Sequence, residues 1–195
     1  MTTARPGSAT GPRRRAPRAD AQRNRDLLVA AAREVFAERG ADAPLDEIAR
    51  RAGIGNATLY RHFPDRRELL IAVYADEVTQ LCARGETLLA DEPATESLFI
   101  WMSEFVRHVA SKRDLALAIP GDPAGRRTAQ FDDWHQAMRT TAGRLLARAQ
   151  AAGAASPGLD AADLLVMASG IAVAAADPGQ ADRCLALLRA GIRGE

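Results

Sequence analysis

The chain of 195 residues contains few of the residues on which several protein classes depend. It has only two cysteines, Cys82 and Cys184, and their separation matches neither a zinc site nor a redox motif. We therefore expect free thiols in a reducing cytoplasm, and no metal or other cofactor. No run of 18 uncharged apolar residues occurs, so we expect no membrane-spanning segment.

The sequence also lacks the motifs of common enzymes. It contains no glycine-rich phosphate loop, no G-x-S-x-G nucleophile elbow and no H-E-x-x-H zinc motif. Arg13, Arg14 and Arg15 are not followed by an apolar stretch, so they do not form an export signal. We expect that the protein is not an enzyme.

Basic residues are concentrated near the N-terminus, although the net charge of the whole chain is only +1. Residues 1–67 contain 14 arginines and eight acidic residues, a net charge of +6, whereas residues 68–195 carry a net charge of −5. A positive N-terminal part and a negative remainder are the polarity expected of a DNA-binding protein. A solvated charge bias without function is the alternative interpretation.

Two short predicted helices around a glycine-containing turn are the most informative feature. Residues 45–52 carry apolar side chains at helical spacing, and Gly53 ends this helix because glycine readily adopts the left-handed conformation. Residues 56–62 predict a second helix that buries Leu59 and Phe63. Such a helix-turn-helix places its second helix in the DNA major groove. A helical hairpin in some other α-protein is the alternative.

The flanking residues extend this pattern. A helix is predicted over 26–39, and Asp65 with Glu68 three residues later is a capping-box signature for a further helix. The whole arrangement resembles the tetracycline-repressor (TetR) family of bacterial transcription regulators. The resemblance covers about residues 24–72 and depends on residues 31–36, 40, 45–49, 52–54, 58–63 and 69.

The resemblance implies an all-α fold with a three-helix DNA-binding head, a fourth connecting helix and a helical body that binds an effector and dimerises. Carried over residue by residue, it implies DNA contacts by Asn56, Ala57, Thr58, Tyr60, Arg61 and His62, with Arg66 on phosphate. Many members have Ser or Thr where this chain has Gly55. Glycine is a tolerable N-cap, so we expect the fold to be kept.

We divide the chain into an Arg-rich disordered arm over 1–22, the head over 23–68 and the body over 69–195. The arm either follows a minor groove or only aids solubility. About nine helices are predicted in all, those after the head spanning 65–90, 96–111, 116–125, 126–152, 160–176 and 177–191.

The last two predicted helices are candidates for a homodimer interface. The first is apolar on nearly every side, so it needs cover on every side. A partner's identical helices would supply that cover in a four-helix bundle, as the resemblance also implies; an interior position within one protomer is the alternative. The predicted interface residues are Leu165, Ala168, Ser169, Gly170, Ala172, Leu185, Leu188 and Ile192.

Aromatic residues, methionines and histidines on two body helices are candidates for a small-molecule pocket. They are Trp101, Met102, Phe105, His108, Trp134, His135 and Met138. The alternative is that these residues belong to the hydrophobic core. Together the features predict a homodimeric regulator, expected to be a repressor that a small-molecule effector releases from a palindromic double-stranded DNA operator. An effector-independent or architectural DNA-binding protein is the alternative.

Overall fold

The computed structural model describes residues 17–111 and 129–192 of the chain. This part forms eight α-helices and contains no strand, which confirms the all-α prediction. The helix predicted over 116–125 lies outside the described residues, as does the start of the predicted arm, residues 1–16. The helices are α1 (Pro17–Arg39), α2 (Leu45–Ala52), α3 (Asn56–His62), α4 (Arg66–Asp91), α5 (Ala94–Ser111), α6 (Ala129–Ala151), α7 (Ala161–Ala174) and α8 (Pro178–Gly191).

The head consists of α1, α2, α3 and the first turns of α4, which share one hydrophobic core. Gly40 and Gly53 follow α1 and α2 with φ angles of 81° and 67°, the left-handed conformation that ends a helix at low cost in glycine. Each helix turns one apolar side inward. The fully covered side chains of the head core include Leu28, Val35, Ile48, Leu59, Phe63 and Leu69.

The helix α4 joins the head to the body. Asp65 caps its N-terminus by accepting a hydrogen bond from the backbone N–H of Glu68 at 2.8 Å, as the sequence predicted. Val73 of α4 still packs in the head core, whereas Val78 packs in the body core. One continuous helix therefore contributes to both cores, so a change in its position would alter the packing of both.

In the body, α5 and α6 pack against α4 and against each other, and α7 and α8 pack on the α5 side of this core. The indole N–H of Trp101 is fully buried and donates to the backbone carbonyl of Leu81 at 2.9 Å, which satisfies it in an apolar core. The last two helices begin as predicted: Asp160 and Asp177 accept hydrogen bonds from backbone N–H groups at the starts of α7 and α8. None of the described helices is long and apolar enough to cross a membrane.

The N-terminus of α1 differs from the prediction. The helix begins at Pro17 rather than near residue 26, so the expectation of a disordered arm is wrong for residues 17–22. Residues 19–22 of this segment are exposed and the segment carries no apolar stripe, which is why the hydrophobic period did not reveal it. Proline at the first position and Asp20 in the first turn are the local signals that favour a helix start there.

Candidate nucleic-acid interface

The turn between α2 and α3 sets the orientation of the second helix. The backbone N–H of Ile54 donates to the carbonyl of Ala49 at 2.9 Å, across the left-handed Gly53. Gly55 is the N-cap of α3 in an extended conformation, and its carbonyl accepts from the N–H groups of Thr58 and Leu59. The hydroxyl cap that the resemblance implies is absent, because Gly55 has no side chain, and α3 forms without it. The helix-turn-helix prediction is confirmed.

The outer side of α3 is accessible. Asn56, Ala57, Tyr60 and Arg61 are exposed, and Thr58 and His62 are half-buried at its edges. Six of the seven predicted DNA contacts thus lie on one short helix whose opposite side, with Leu59, is buried in the head. Because amide, hydroxyl and guanidinium groups can hydrogen-bond base edges and phosphates, this surface has the chemistry for the major groove. Contact with DNA itself stays a prediction.

The side chain of Arg61 lies back along α3. Its Nη2 donates to the hydroxyl of Thr58 at 2.7 Å, and its Nε donates to the carbonyl of Ala57 at 3.3 Å. The guanidinium is therefore held toward the N-terminal half of the helix. In helix-turn-helix proteins it is this half of the second helix that meets the base edges.

Arg66, the predicted phosphate contact, has a structural role in the free protein. Its Nη1 donates to the carbonyls of Ala41 and Ala43 at 2.7 and 2.6 Å, which ties the α1–α2 loop to the start of α4. A charged donor shared by two carbonyls is a strong contact, and Arg66 is half-buried. A contact between Arg66 and a DNA phosphate stays a prediction. It would have to form while Arg66 keeps its two hydrogen bonds to the α1–α2 loop.

Two further arginines of the head make contacts that sequence reasoning missed. The guanidinium of Arg25 lies 5.1 Å from the ring centroid of Phe63, in a cation–π contact between α1 and the end of α3. Arg51 of α2 donates two hydrogen bonds to Glu38 of α1, at 2.6 and 2.8 Å. These hydrogen bonds hold the pKa of the Glu38 carboxyl below its usual value. No short-range pattern could have paired residues so far apart in the chain.

The seven predicted pocket residues divide into different environments. Trp101, Met102, Phe105 and Met138 are buried in the body core, and the first and third of these stack with ring centroids 5.6 Å apart. His135 is half-buried, and its Nδ1 lies 2.6 Å from the carbonyl of Phe131 on its own helix. For the four core residues the structure thus supports the packing role that was the alternative.

His108 and Trp134, the other two, meet in an aromatic cluster with Tyr74 and Phe131. The ring of Tyr74 lies 4.9 to 5.6 Å from the rings of its three neighbours. The carboxylate of Glu77 lies 3.6 Å from Nδ1 of His108. Burial, together with the nearby negative charge of Glu77, raises the pKa of the Tyr74 phenol. The sequence did not lead us to predict a role for Glu77, although its position three residues after Tyr74 places both residues on one side of α4.

A separate cavity of about 620 Å³ lies between α5, α7 and α8. Its walls combine small apolar side chains with charged groups, and none of the predicted pocket residues line it. The residues around it are Ser103, Val106, Arg107, Ala110, Ala172, Ala175, Ala176, Asp177, Pro178, Ala181 and Asp182.

The predicted dimer residues fall into a buried group and a more accessible group. Ala168, Ala172, Leu185 and Ile192 are buried in the core of their own protomer and cannot present their side chains to a partner. Leu165, Ser169 and Leu188 are half-buried, and Gly170 is exposed. The large apolar side chains left exposed on α7 and α8 are instead Val166, Met167, Val173 and Leu187, which we call the α7–α8 face.

The fold and the exposed side of α3 define a helix-turn-helix DNA-binding protein. Comparison with known proteins agrees. Residues 28–73 match the family of bacterial regulatory proteins of the TetR type, and residues 93–194 match the C-terminal domain of SbtR-like transcriptional regulators. A TetR regulator from Streptomyces coelicolor is 37% identical, with a TM-score of 0.72 over 87% of this chain and 98% of that one.

Other relatives agree. A TetR regulator structure from Mycobacterium vanbaalenii is 34% identical, with a TM-score of 0.72 over 91% of this chain and 99% of that one. The transcriptional regulator SrpR of Pseudomonas putida is 35% identical over 96 residues, 49% of this chain and 45% of SrpR. The transcriptional activator FasR of Mycolicibacterium smegmatis is 43% identical over 72 residues, 36% of this chain and 33% of FasR. The chain thus spans less than half the length of these two relatives.

The chain belongs to the TetR family of transcription regulators. The predicted family and the prediction of a regulator rather than an enzyme are confirmed.

Proposed function

We propose that the protein is a homodimeric repressor that occupies a palindromic operator and leaves it when a small molecule binds the body. The observation that carries this proposal is the pairing of two exposed surfaces in one chain. The outer side of α3 is polar and suits DNA, and the α7–α8 face is apolar and suits a second copy. Such a protein acts in the cytoplasm, where a bacterial chromosome is found.

The dimer is proposed to form through the α7–α8 face. Val166 and Leu187 are 71% and 73% exposed, and Val173 is 51% exposed. Several large apolar side chains exposed on adjacent helices are typical of an interface, whereas single exposed ones are ordinary. Nothing lies within 4 Å of a Cβ built on Gly170, so a partner helix can approach closely there. This face replaces the four predicted interface residues that the protomer itself buries.

The effector is proposed to act through α4 at the aromatic cluster of Tyr74, His108, Phe131 and Trp134. Consecutive residues of α4 contact different parts of the molecule beside this cluster: Asp76 pairs with Arg33 of the head at 3.3 Å, and Glu77 lies against His108 of the body. A ligand that separates the rings of the cluster would move α4 and with it the contact to α1. The ligand acts only to the extent that it prefers the displaced arrangement.

Selection of genomic fragments by the purified protein, followed by sequencing, tests the operator proposal. We expect enrichment of one palindrome, and release of that duplex by compounds that raise the melting temperature of the protein. Compounds that stabilise the protein without releasing the duplex would support an effector-independent regulator instead. Enrichment of no sequence would contradict the proposal.

Activation is a second candidate function. It is favoured by the similarity of 72 residues of this chain to FasR, which is named a transcriptional activator. Transcription in vitro from a promoter carrying the selected operator distinguishes the two. A repressor lowers the amount of transcript when added to polymerase, whereas an activator raises it.

A further inference from the structure

We propose that Thr58 is a positioning residue that holds the guanidinium of Arg61 so that its outer edge reads a guanine in each half of the operator. The inference depends on the proposed function, because it assigns a base and a residue to the operator contact proposed above. It starts from the two hydrogen bonds that Arg61 makes within α3.

The contacts of Arg61 use one particular edge of the guanidinium. An arginine has five N–H donors in a planar fork, of which Nε and Nη2 form one edge and Nη1 and Nη2 form the other. The Nε–Nη2 edge is bound to the carbonyl of Ala57 and the hydroxyl of Thr58. Among the described residues these are the acceptors of Arg61, so the Nη1–Nη2 edge remains available to donate two parallel hydrogen bonds.

The position of this edge favours a base over a phosphate. Side chains of a helix lean toward its N-terminus, and Arg61 follows this rule by reaching back to Ala57 and Thr58. The N-terminal residues of the second helix are those that meet base edges in helix-turn-helix complexes. Arg61 is exposed, so the edge is open to an incoming duplex.

The chemistry of the edge selects the base. Two parallel donors match the O6 and N7 acceptors that guanine presents in the major groove. Adenine presents one acceptor and one donor there, and cytosine presents a donor, so neither can accept both hydrogen bonds. Because the hydroxyl of Thr58 orients the guanidinium before DNA arrives, less rotamer freedom is lost on binding.

The first test is a selection of random duplexes with the full chain, which identifies the operator. We expect a guanine at the same position of both half-sites, and replacement of that pair by A·T should weaken binding at least about tenfold. Arg61→Ala should lose this preference while it still binds. An operator without an Arg61-dependent guanine would overturn this inference alone, whereas failure to select any sequence would overturn the proposed function with it.

Two substitutions of Thr58 separate positioning from folding. Thr58→Val keeps the shape and the β-branch but removes the hydroxyl, and should reduce the preference for guanine about threefold to tenfold. Thr58→Ser keeps the hydroxyl and should preserve the preference. Equal melting temperatures of the variants exclude a fold defect. If Thr58→Ser behaved as Thr58→Val, or if Thr58→Val bound more tightly, the hydroxyl would not position Arg61.

A double-mutant cycle shows whether Thr58 acts through Arg61. In an Arg61→Ala background, Thr58→Val should cause no further loss of affinity, because the group that it positions is gone. The same loss in both backgrounds would show that Thr58 contacts DNA directly, and the positioning role would be wrong.

Discussion

A Cβ atom built on Gly85 of α4 would lie 2.2 Å from Cγ2 of Thr141 on α6, much closer than two carbon atoms can approach. The indole Nε1 of Trp101 would lie 3.2 Å away. The two helices therefore touch at this glycine, and their spacing is set by the absence of a side chain. The aromatic cluster also lies between α4 and α6, so this contact helps to set the spacing of the two helices that hold the cluster.

Gly85→Ala should accordingly destabilise the body, by about 1–3 kcal/mol from overpacking, despite the better helix propensity of alanine. Adding Thr141→Ser should recover most of this loss, because serine lacks Cγ2 but keeps the hydroxyl that donates to the carbonyl of Ala137. Gly143→Ala is the matched control, since its Cβ would meet nothing nearer than 4.0 Å. Denaturant unfolding measures all three, and equal stability of Gly85→Ala and Gly143→Ala would refute the close approach.

Gly170→Glu should convert the proposed dimer to monomers. A carboxylate at this position would be buried without a partner between the α7–α8 faces, at a cost of several kcal/mol, but would be solvated in a monomer. Light scattering should show half the mass with unchanged helix content, and operator affinity should collapse with it. Gly158→Glu, the same substitution in the turn before α7, should stay dimeric. A Gly170→Glu dimer would place the interface elsewhere.

Asn56→Ala and Tyr60→Phe should affect DNA binding differently. Loss of an amide that contacts a base should change which base is preferred at one position and cost about 1–3 kcal/mol. Loss of a hydroxyl that contacts the phosphate backbone should weaken binding to all sequences alike. Binding of both variants to a panel of single-base operator variants tells the two patterns apart. Wild-type affinity of both would contradict the role of the outer side of α3.

Deletion of residues 1–16 should make operator affinity less sensitive to salt. This segment contains four arginines and no acidic residue, and each phosphate neutralised by an arginine releases counterions that make log K fall with log salt. Binding titrations between low and physiological salt give the slope of log K against log salt. An unchanged slope would indicate that the segment serves only solubility.

The head should lose stability in acid partly through Glu38. Hydrogen bonds from Arg51 lower the folded-state pKa of this carboxyl, so its contribution is present above the ordinary glutamate pKa, about 4.3, and is lost as the pH falls through the lowered value. Glu38→Gln should flatten this part of the profile of stability against pH. Thermal unfolding measured from pH 6 downward over about three pH units tests this. Glu34→Gln is the control, because Glu34 lies 3.9 Å from Arg51 and makes no hydrogen bond to it. Identical profiles for both variants would argue against the Arg51–Glu38 contact.

Features that depend on neighbouring residues could be predicted from the sequence. Gly53 ends α2, Asp65 caps α4, and Asp177 with Pro178 starts α8, because caps and turns are decided within a few residues. The helix-turn-helix and its outward residues were predictable for the same reason. The apolar period of α2 and the positions of Leu59 and Phe63 determine which side is buried.

Tertiary structure alone decided how the ambiguous helices are rotated and which distant groups meet. In α7 the apolar residues surround the helix, so no period could tell that Ala168 faces the core and Val166 faces outward. Packing against α5 made that choice. Likewise, Arg66 reaches the carbonyls of Ala41 and Ala43 only because the chain folds back. Such contacts follow from helix positions in three dimensions, which short-range patterns of residues do not encode.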